Sequence, residues 1–366
     1  MKVGLVLGAG GVMGGAWLTG GLHALATETG WDPASADHVV GTSAGSMMGA
    51  LLASGVPPWF MVAHSAGETF EGLTDAGGSA QDEASRSAGA EFNLEWWPPP
   101  VGPGSWKLIA RTVTHPNRYS AAAVLGGWLP RGMVSNEPLK QTVRRVTPSG
   151  WADHPNLWIV ACDYANGRRV PFGRADAPEA ELADAVAASC AIPGFYKPVM
   201  IAGRRYVDGG LWSTSNLDIV RNEECDLVIC LNPTSSLHPP HAWNPAERVA
   251  ASLRTLSGRR LGSETKKLRE LGTKVVLIQP TSEDHAVMGP NLMATRNRQP
   301  VIETAIRTVT EQLRHDDVRP LLSDLPPGEP HKIARPPGPP STWPDTLPGG
   351  GRRGAAAAGN SFEEAV

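Results

Sequence analysis

Two apolar runs near the start of the chain each end in glycine and lead into a segment with helical spacing. Residues 2–10, KVGLVLGAG, are followed by apolar positions in 14–29, and residues 36–46, ADHVVGTSAGS, are followed by apolar positions in 47–52. Short apolar runs bounded by glycine are typical of buried parallel strands. Two strand–turn–helix units in succession therefore predict an α/β layered fold.

The second half of the chain repeats these signals. Apolar runs predict further strands at residues 157–164, 204–210, 226–233 and 274–280. Helical spacing predicts helices at residues 184–192, 245–271 and 300–314. The helix at 245–271 is rich in basic side chains, but Glu264 and Glu270 interrupt them, which favours a solvated face over attraction to a membrane surface.

The periodicity disappears between about residues 70 and 130, which predicts a long Trp/Pro-rich insertion over the sheet. Five tryptophans fall in or near it: Trp59, Trp96, Trp97, Trp106 and Trp128. We interpret them as a satellite core beneath a long loop, with a substrate-access surface around Trp96 and Trp97 as the alternative. One domain is expected over 1–325, followed by a disordered Pro/Gly/Ala-rich tail over 326–366.

Composition excludes several classes of function. The 33 basic and 36 acidic side chains give a net charge of −3, which does not favour a nucleic-acid partner. Four cysteines lie in apolar runs without metal-ligand spacing, so we expect reduced thiols and no metal site. No run of about 18 apolar residues is present. The expected location is therefore cytoplasmic, at most peripheral to a membrane.

The pentapeptide GTSAG at 41–45 fits G-x-S-x-G, in which a serine lies on a tight turn from strand to helix. Gly41 and Gly45 flank Ser43 where a Cβ would crowd the turn. A helix that begins near Ala44 would point its first amides at the serine and favour developing negative charge. Ser43 is thus a candidate nucleophile; the alternative is a small-residue turn without a catalytic role.

The segment GAGGVMG at 8–14 presents successive amides, which suit an oxyanion or a phosphate. A dinucleotide-binding loop requires G-x-G-x-x-G, and Met13 occupies the place of its third glycine. That fold also has an acidic residue at the end of its second strand, whereas the second strand here leads directly to Ser43. The oxyanion interpretation is therefore preferred.

A third element is VDGG at 207–210, where Asp208 follows an apolar strand. Alone it would be a cap or turn residue. The order GAGGVMG, GTSAG, DGG, however, resembles the patatin-like phospholipases. The segments AVAASCAIPGFYKPV at 185–199 and DGGLWSTSNLDIV at 208–220 agree with that family, and the resemblance covers about residues 3–320.

The resemblance implies a three-layer α/β/α fold with a mostly parallel central sheet and no cofactor. It also implies a lipid or ester substrate, which can be bound at a membrane surface. It implies a dyad in which Ser43 is the nucleophile and Asp208 the base. The amides of Gly10, Gly11 and Ala44 would form the oxyanion hole. The glycines that would support these motifs are Gly8, Gly14, Gly41, Gly45, Gly209 and Gly210.

Two positions depart from the family pattern. Ala9 replaces a glycine of the loop, which leaves the amides intact if the φ of Ala9 is negative. Met13 replaces a basic residue, which removes a cation and puts a preference for strongly anionic head groups in doubt. Met13 is also the feature that favours a pseudoenzyme or binding module on the same fold.

The nearest enzymatic alternative is an α/β-hydrolase with a Ser–Asp–His triad. Histidines follow Asp208 at His238, His241, His285 and His315, of which His285 is the best candidate. A serine elbow on only the second strand leaves too few strands before it for that fold. The dyad is therefore preferred.

Overall fold

The chain forms an eight-stranded sheet in the computed structural model, which describes residues 1–66, 92–97, 101–115, 119–147, 150–236 and 245–328. The strands are β1 Val3–Leu7, β2 His38–Thr42, β3 Leu157–Asp163, β4 Arg169–Phe172, β5 Val199–Ile201, β6 Arg204–Asp208, β7 Leu227–Leu231 and β8 Lys274–Ile278. Their order across the sheet is β5-β6-β3-β2-β1-β7-β8, with β4 also paired to β3.

The centre of the sheet is parallel. The pairings β1–β2, β1–β7, β2–β3 and β7–β8 are parallel, whereas β3–β4, β3–β6 and β5–β6 are antiparallel. Every residue of β1, β2, β3 and β7 is buried, because parallel strands of this kind are covered on both faces. The predicted mostly parallel central sheet is confirmed.

Helices cover both faces of this sheet. The described helices are α1 Gly11–Thr29, α2 Ala44–Ala53, α3 Pro58–Ser65, α4 Trp106–Thr114, α5 Ala121–Trp128, α6 Glu137–Val146, α7 Leu182–Ser189, α8 Pro245–Glu270, α9 Ser282–Met288, α10 Arg298–Arg314 and α11 Arg319–Leu322. None of them is long and apolar enough to cross a bilayer. The predicted helices at 14–29, 184–192, 245–271 and 300–314 correspond to α1, α7, α8 and α10.

Alternation along the strands divides the core into two layers. On β1, Leu5 and Leu7 point into the larger core with α1, α2, α7 and α10, whereas Val6 points into a smaller core. The smaller core receives Leu261 and Leu268 from α8. Side chains of a strand alternate between faces, so helices on both sides bury a strand that is apolar at every position. This is the expected three-layer α/β/α arrangement.

The predicted insertion over 70–130 is more regular than its sequence indicates, because α4 and α5 both lie within it. Trp59 is buried in α3, but the interpretation of the other four tryptophans as core is wrong. Trp96, Trp97, Trp106 and Trp128 are 67%, 81%, 67% and 55% exposed. Residues 67–91, 98–100 and 116–118 of this region, and the predicted tail from residue 329 onward, lie outside the described residues.

The strand register brings the three motifs to one edge of the sheet. Leu7, the last residue of β1, pairs with Gly41, so the loop after β1 and the turn after β2 lie side by side. Thr42 pairs with Val160 of β3, and the next residue of β3, Ala161, pairs with Asp208. Across the sheet, Asp208 therefore lies at the same height as Ser43, the residue after Thr42. This holds although β6 runs antiparallel to β3.

The turn after β2 passes so close to β1 that it admits no side chain at Gly45. A Cβ on Gly45 would lie 2.1 Å from the carbonyl oxygen of Leu7, and a Cβ on Gly41 would lie 2.4 Å from that of Gly45. Both contacts are with backbone, which cannot swing away as a flexible side chain can. The glycines of GTSAG are therefore required by packing.

We predict that Gly45→Ala lowers the free energy of unfolding by about 3 kcal/mol, because the added methyl group forces β1 and α2 apart. Gly262→Ala in α8 is the matched control, since a Cβ there meets nothing within 4 Å. It should stabilise the protein by about 0.5–1 kcal/mol through helix propensity alone. Urea titration measures both; unaltered stability of Gly45→Ala would show that the strand and helix relax at no cost.

Candidate active site

Ser43 occupies a strained backbone position between β2 and α2. Its φ of 52° and ψ of −121° lie in a region that residues other than glycine seldom adopt. Strain of this kind costs about 1–3 kcal/mol and must be held by the surrounding contacts. The Ser43 amide donates to Ser189 Oγ at 2.8 Å, and Ser189 Oγ donates to the carbonyl of Val160 at 2.7 Å. The strain is therefore held from α7 and β3.

Asp208 lies at the end of β6 with its carboxylate directed to the same place. Its Oδ1 accepts a hydrogen bond of 2.7 Å from the Gly210 amide, and the Ser43 hydroxyl lies close to the carboxylate. Burial raises the pKa of Asp208 to about 6, against the lowering effect of the Gly210 amide and the Ser43 hydroxyl. The predicted nucleophile and the predicted base are thus adjacent in space, although 165 positions separate them in the chain.

The loop that carries Asp208 is fastened to β2 by Asn216, which is fully buried. Asn216 Nδ2 donates to Thr42 Oγ1 at 3.1 Å and to the carbonyls of Ser213 and Gly209 at 2.6 and 3.4 Å. A Cβ on Gly209 would lie 2.2 Å from the carbonyl oxygen of Val160. Asn216 and Gly209 therefore set the position of Asp208 relative to the serine turn.

The glycine-rich loop presents amides beside Ser43. Within the described residues the amides of Gly8, Ala9 and Met13 donate to the carbonyls of Leu231, Thr214 and Leu292, whereas no backbone acceptor is found for those of Gly10 and Gly11. Gly11 has a φ of +60° and opens α1. A helix N-terminus and unpaired amides together favour a negative charge.

The two departures from the family pattern have simple structural outcomes. Ala9 is absent from the residues with positive φ, so its φ is negative and the loop keeps its course, as expected. Met13 is 2% exposed and packs in the larger core. Position 13 therefore brings no cation to the site, but Arg298 of α10 lines the same cavity as Ser43.

That cavity has a volume of about 120 Å³ and is mainly apolar. Gly11, Ser43 and Ala44 line it, so the candidate nucleophile and two of the candidate oxyanion donors face one space. Its apolar wall comes from Met47, Met48, Leu51, Val56, Phe60, Met61, Ile192, Met293 and Ile302. Methionine side chains are flexible and polarisable, so this wall can adapt to ligands of different shape.

Cys190 lines the same cavity as Ser43. Its Sγ is 3.7 Å from the Oγ of Ser46, in the first turn of α2. Burial, with the nearby charge of Asp208, raises the pKa of the Cys190 thiol to about 12. The thiol therefore stays protonated at neutral pH and does not compete with Ser43 as a nucleophile.

None of the described histidines reaches Asp208. His285, the best candidate for a triad, is buried in α9, and within the described residues neither ring nitrogen has a hydrogen-bond partner. Burial and then Arg254 lower the pKa of His285 to about 4. His315 is exposed and lies 3.6 Å from Asp317, and His238 and His241 lie outside the described residues.

Three features of this site went unassigned in the sequence. Ser189, Asn216 and Arg298 reach the site from distant parts of the chain, and the sequence alone predicts no role for them. Ser189 and Asn216 lie in the segments 185–199 and 208–220 that resemble the patatin-like phospholipases, whereas Arg298 carries no sequence signal. Within the described part of the chain no cluster of three or more His, Cys, Asp or Glu side chains could hold a metal ion.

The raised pKa of Asp208 has a consequence for stability. A group whose pKa rises from 3.8 to about 6 on folding stabilises the fold fully only below pH 3.8, and this contribution is lost as the pH rises through 6. Asp208→Asn should therefore raise the free energy of unfolding by about 3 kcal/mol at pH 8 and by about half as much at pH 5.

The matched control is Asp218→Asn. Asp218 is equally buried, but its carboxylate is paired with Arg169, one of whose nitrogens lies at 3.2 Å. Its removal leaves a partly buried cation without its partner and should lower stability. Urea titrations at the two pH values measure both variants; equal destabilisation by both would contradict the burial cost assigned to Asp208.

Comparison with known protein families gives a direct match. The family model Patatin, described as patatin-like phospholipase, matches residues 5–221 of the 366 residues. The matched segment includes the glycine-rich loop, the serine turn and Asp208. The chain therefore belongs to the patatin-like phospholipase family.

Proposed function

We propose that this protein is a lipid acyl hydrolase that cleaves carboxylic ester bonds through an acyl-enzyme on Ser43, with Asp208 as general base. Membership of the family implies a hydrolase acting on lipid esters. The observation that supports the finer proposal is that Ser43, which lies close to Asp208, lines an apolar cavity together with Gly11 of the glycine-rich loop.

The first half of the reaction forms the acyl-enzyme. The Ser43 hydroxyl, which lies close to Asp208, attacks the ester carbonyl while its proton passes to the carboxylate. The negative charge on the carbonyl oxygen is stabilised by the amides of Gly10, Gly11 and Ala44, each worth on the order of 3 kcal/mol of barrier. The alcohol then leaves with the proton that Asp208 returns.

The second half regenerates the enzyme. Water enters the place of the alcohol, gives a proton to Asp208 and attacks the acyl carbon, and the same amides stabilise the oxyanion again. The fatty acid leaves when Ser43 recovers its proton. Because one carboxylate is base and acid in turn, a pKa near 6 suits it better than the ordinary value near 4.

The methionine-rich wall supports a long acyl chain as the part of the substrate that enters the cavity. Met47 and Met48 lie on the first turns of α2, directly after the proposed nucleophile, and Met61 and Met293 line the same cavity. An acyl group bound to Ser43 would extend along these side chains. Their adaptability suits several chain lengths rather than one.

Ser43→Ala should abolish ester hydrolysis and labelling by a fluorophosphonate probe while leaving thermal stability nearly unchanged, because the nucleophile is lost and the turn is kept. His285→Ala is the control and should retain turnover of a soluble ester, since His285 does not line the cavity. Loss of activity in His285→Ala at unchanged melting temperature would favour a triad, and label mapped to another residue would exclude Ser43 as nucleophile.

The pH dependence of kcat/KM reports the base directly. Deprotonated Asp208 is the active form, so kcat/KM on a soluble ester should fall about tenfold per pH unit below an apparent pKa near 6 and level off above it. If His285 were the general base, the acidic limb of the kcat/KM profile would instead lie near pH 4. A profile without a limb between pH 5 and 7 would contradict the assignment of Asp208.

A further inference from the structure

Exposed apolar side chains are concentrated in one region of the protein. Among the described residues, all but four of the large exposed hydrophobic side chains lie between Phe92 and Leu129; the exceptions are Met1, Met200, Leu256 and Leu271. Four of those in this region are tryptophans. A concentration of exposed apolar side chains of this kind is typical of a binding surface.

Helix α4 turns an apolar strip outward between positive charges. Leu108, Ile109 and Thr112 are buried, and Trp106, Ala110 and Val113, at helical spacing, are exposed. Lys107 and Arg111 flank this strip and are also exposed. A helix with indole and aliphatic groups beside cations is typical of a helix that lies in a membrane interface.

Two other segments extend this surface. The amides of Ser105 and Gly104 donate to the carbonyls of Gly127 and Leu129, which brings Trp128 next to the start of α4. A groove beside α4 is lined by Trp106, Lys107 and Arg111 together with Met200, Arg204 and Arg205 of the β5–β6 hairpin. We call the surface formed by Trp106, Lys107, Arg111, Trp128, Met200 and Arg205 the basic tryptophan face.

Within the described part of the chain, Lys107, Arg111 and Arg205 of this face form no ion pair. The groove contains one carboxylate, Asp163, and Arg204 is paired with it at 3.0 Å. No carboxylate oxygen of the described residues lies within 4 Å of the charged nitrogens of Lys107, Arg111 or Arg205. Arg205 donates to the carbonyl of Gly104 at 3.3 Å and lies over the ring of Tyr164, and neither contact neutralises its charge. Three exposed positive charges beside exposed indoles are therefore available to an anionic partner.

The basic tryptophan face is built on the wall of the candidate active site. Cys190, Ile192 and Tyr196 line the cavity next to Ser43. In the same segment, Pro193 lies beneath Gly126 of α5, and Gly194 lies beneath Leu129. One stretch of seven residues, 190–196, thus supports the exposed surface from below and borders the cavity.

We propose that the basic tryptophan face docks the protein on a bilayer that contains anionic phospholipid. Indoles partition to the level of the head groups, where one side of the ring is dry and the other wet. Each cation near an anionic surface strengthens binding about fivefold, so three act together on the order of 100-fold. The inference rests on the proposed function only in that the bilayer would supply the ester substrate.

Vesicle sedimentation tests this proposal without turnover. The full-length protein is mixed with vesicles of ether-linked phosphatidylcholine, with or without ether-linked phosphatidylserine, which carry no carboxylic ester bond for the enzyme to cleave. Wild type should bind the vesicles with phosphatidylserine at least about tenfold more tightly than the neutral ones. Equal binding to the two, or none to either, would overturn the proposal.

Two sets of variants locate the surface. Lys107→Gln with Arg111→Gln should weaken binding to the anionic vesicles by on the order of 10- to 50-fold. Trp106→Ala with Trp128→Ala should weaken binding to both vesicle types, since the indoles contact the interface whatever its charge. If the double tryptophan variant bound like wild type, the face would be a plain anion-binding patch, and the proposal would be wrong.

The matched control removes two charges from another basic surface. Lys266 and Lys267 are exposed on α8, the helix whose basic face we interpreted as solvated. Lys266→Gln with Lys267→Gln should leave vesicle binding within twofold of wild type. A loss equal to that of the α4 variant would assign binding to overall charge and contradict a specific face.

Activity separates this proposal from the catalytic one. None of the substituted residues lines the cavity, so every variant should hydrolyse a soluble short-chain ester at the wild-type rate and keep its melting temperature. Vesicle binding without ester hydrolysis would support the docking face and overturn the proposed function. Ester hydrolysis without vesicle binding would support the proposed function and overturn the docking face.

Discussion

The approach of Gly45 to the carbonyl oxygen of Leu7 is the contact on which the candidate site depends. It brings the first turn of α2 against the end of β1, so that the amides after β1 and those that begin α2 face the same space. Ser43 then has to turn through a positive φ, and the hydrogen bond from its amide to Ser189 holds it there. The short distances between backbone segments therefore require small residues at positions 41 and 45, and they set the geometry of the candidate site.

Burial of Asp208, the proposed general base, would connect catalysis and stability through one carboxyl group. The same desolvation that raises its pKa to about 6 makes its charged form unfavourable in the folded protein. Within the described residues, the Gly210 amide and the Ser43 hydroxyl oppose that cost. A further donor or a neighbouring cation would stabilise the protein but would also weaken the proposed base. In the proposed mechanism, the reactivity of the base is therefore kept at the expense of the fold.

The sequence predicted the strands and the serine turn well because both leave local signals. Apolar runs that end in glycine reflect burial on both faces, and GTSAG reflects a close approach within five residues. Contacts between distant segments leave no such signal: Ser189 meets Ser43 across 146 positions, and Asn216 meets Thr42 across 174. The prediction that the tryptophans are buried was wrong for a related reason, since the burial of an indole depends on which distant segments pack over it. Trp59, in α3, is covered by such segments, whereas Trp97 is exposed.

The central position of β1 has a consequence for how the protein is made. Its partner β7 pairs with it along its whole length, yet the paired residues are separated by more than two hundred positions and β7 lies beyond the family match at 221. On the ribosome, a fully apolar strand would emerge early and wait for its second neighbour with one edge of amides and carbonyls open. Nascent chains in that condition associate with one another. Expression yield should therefore depend more on translation speed and chaperone supply than on the stability of the finished fold.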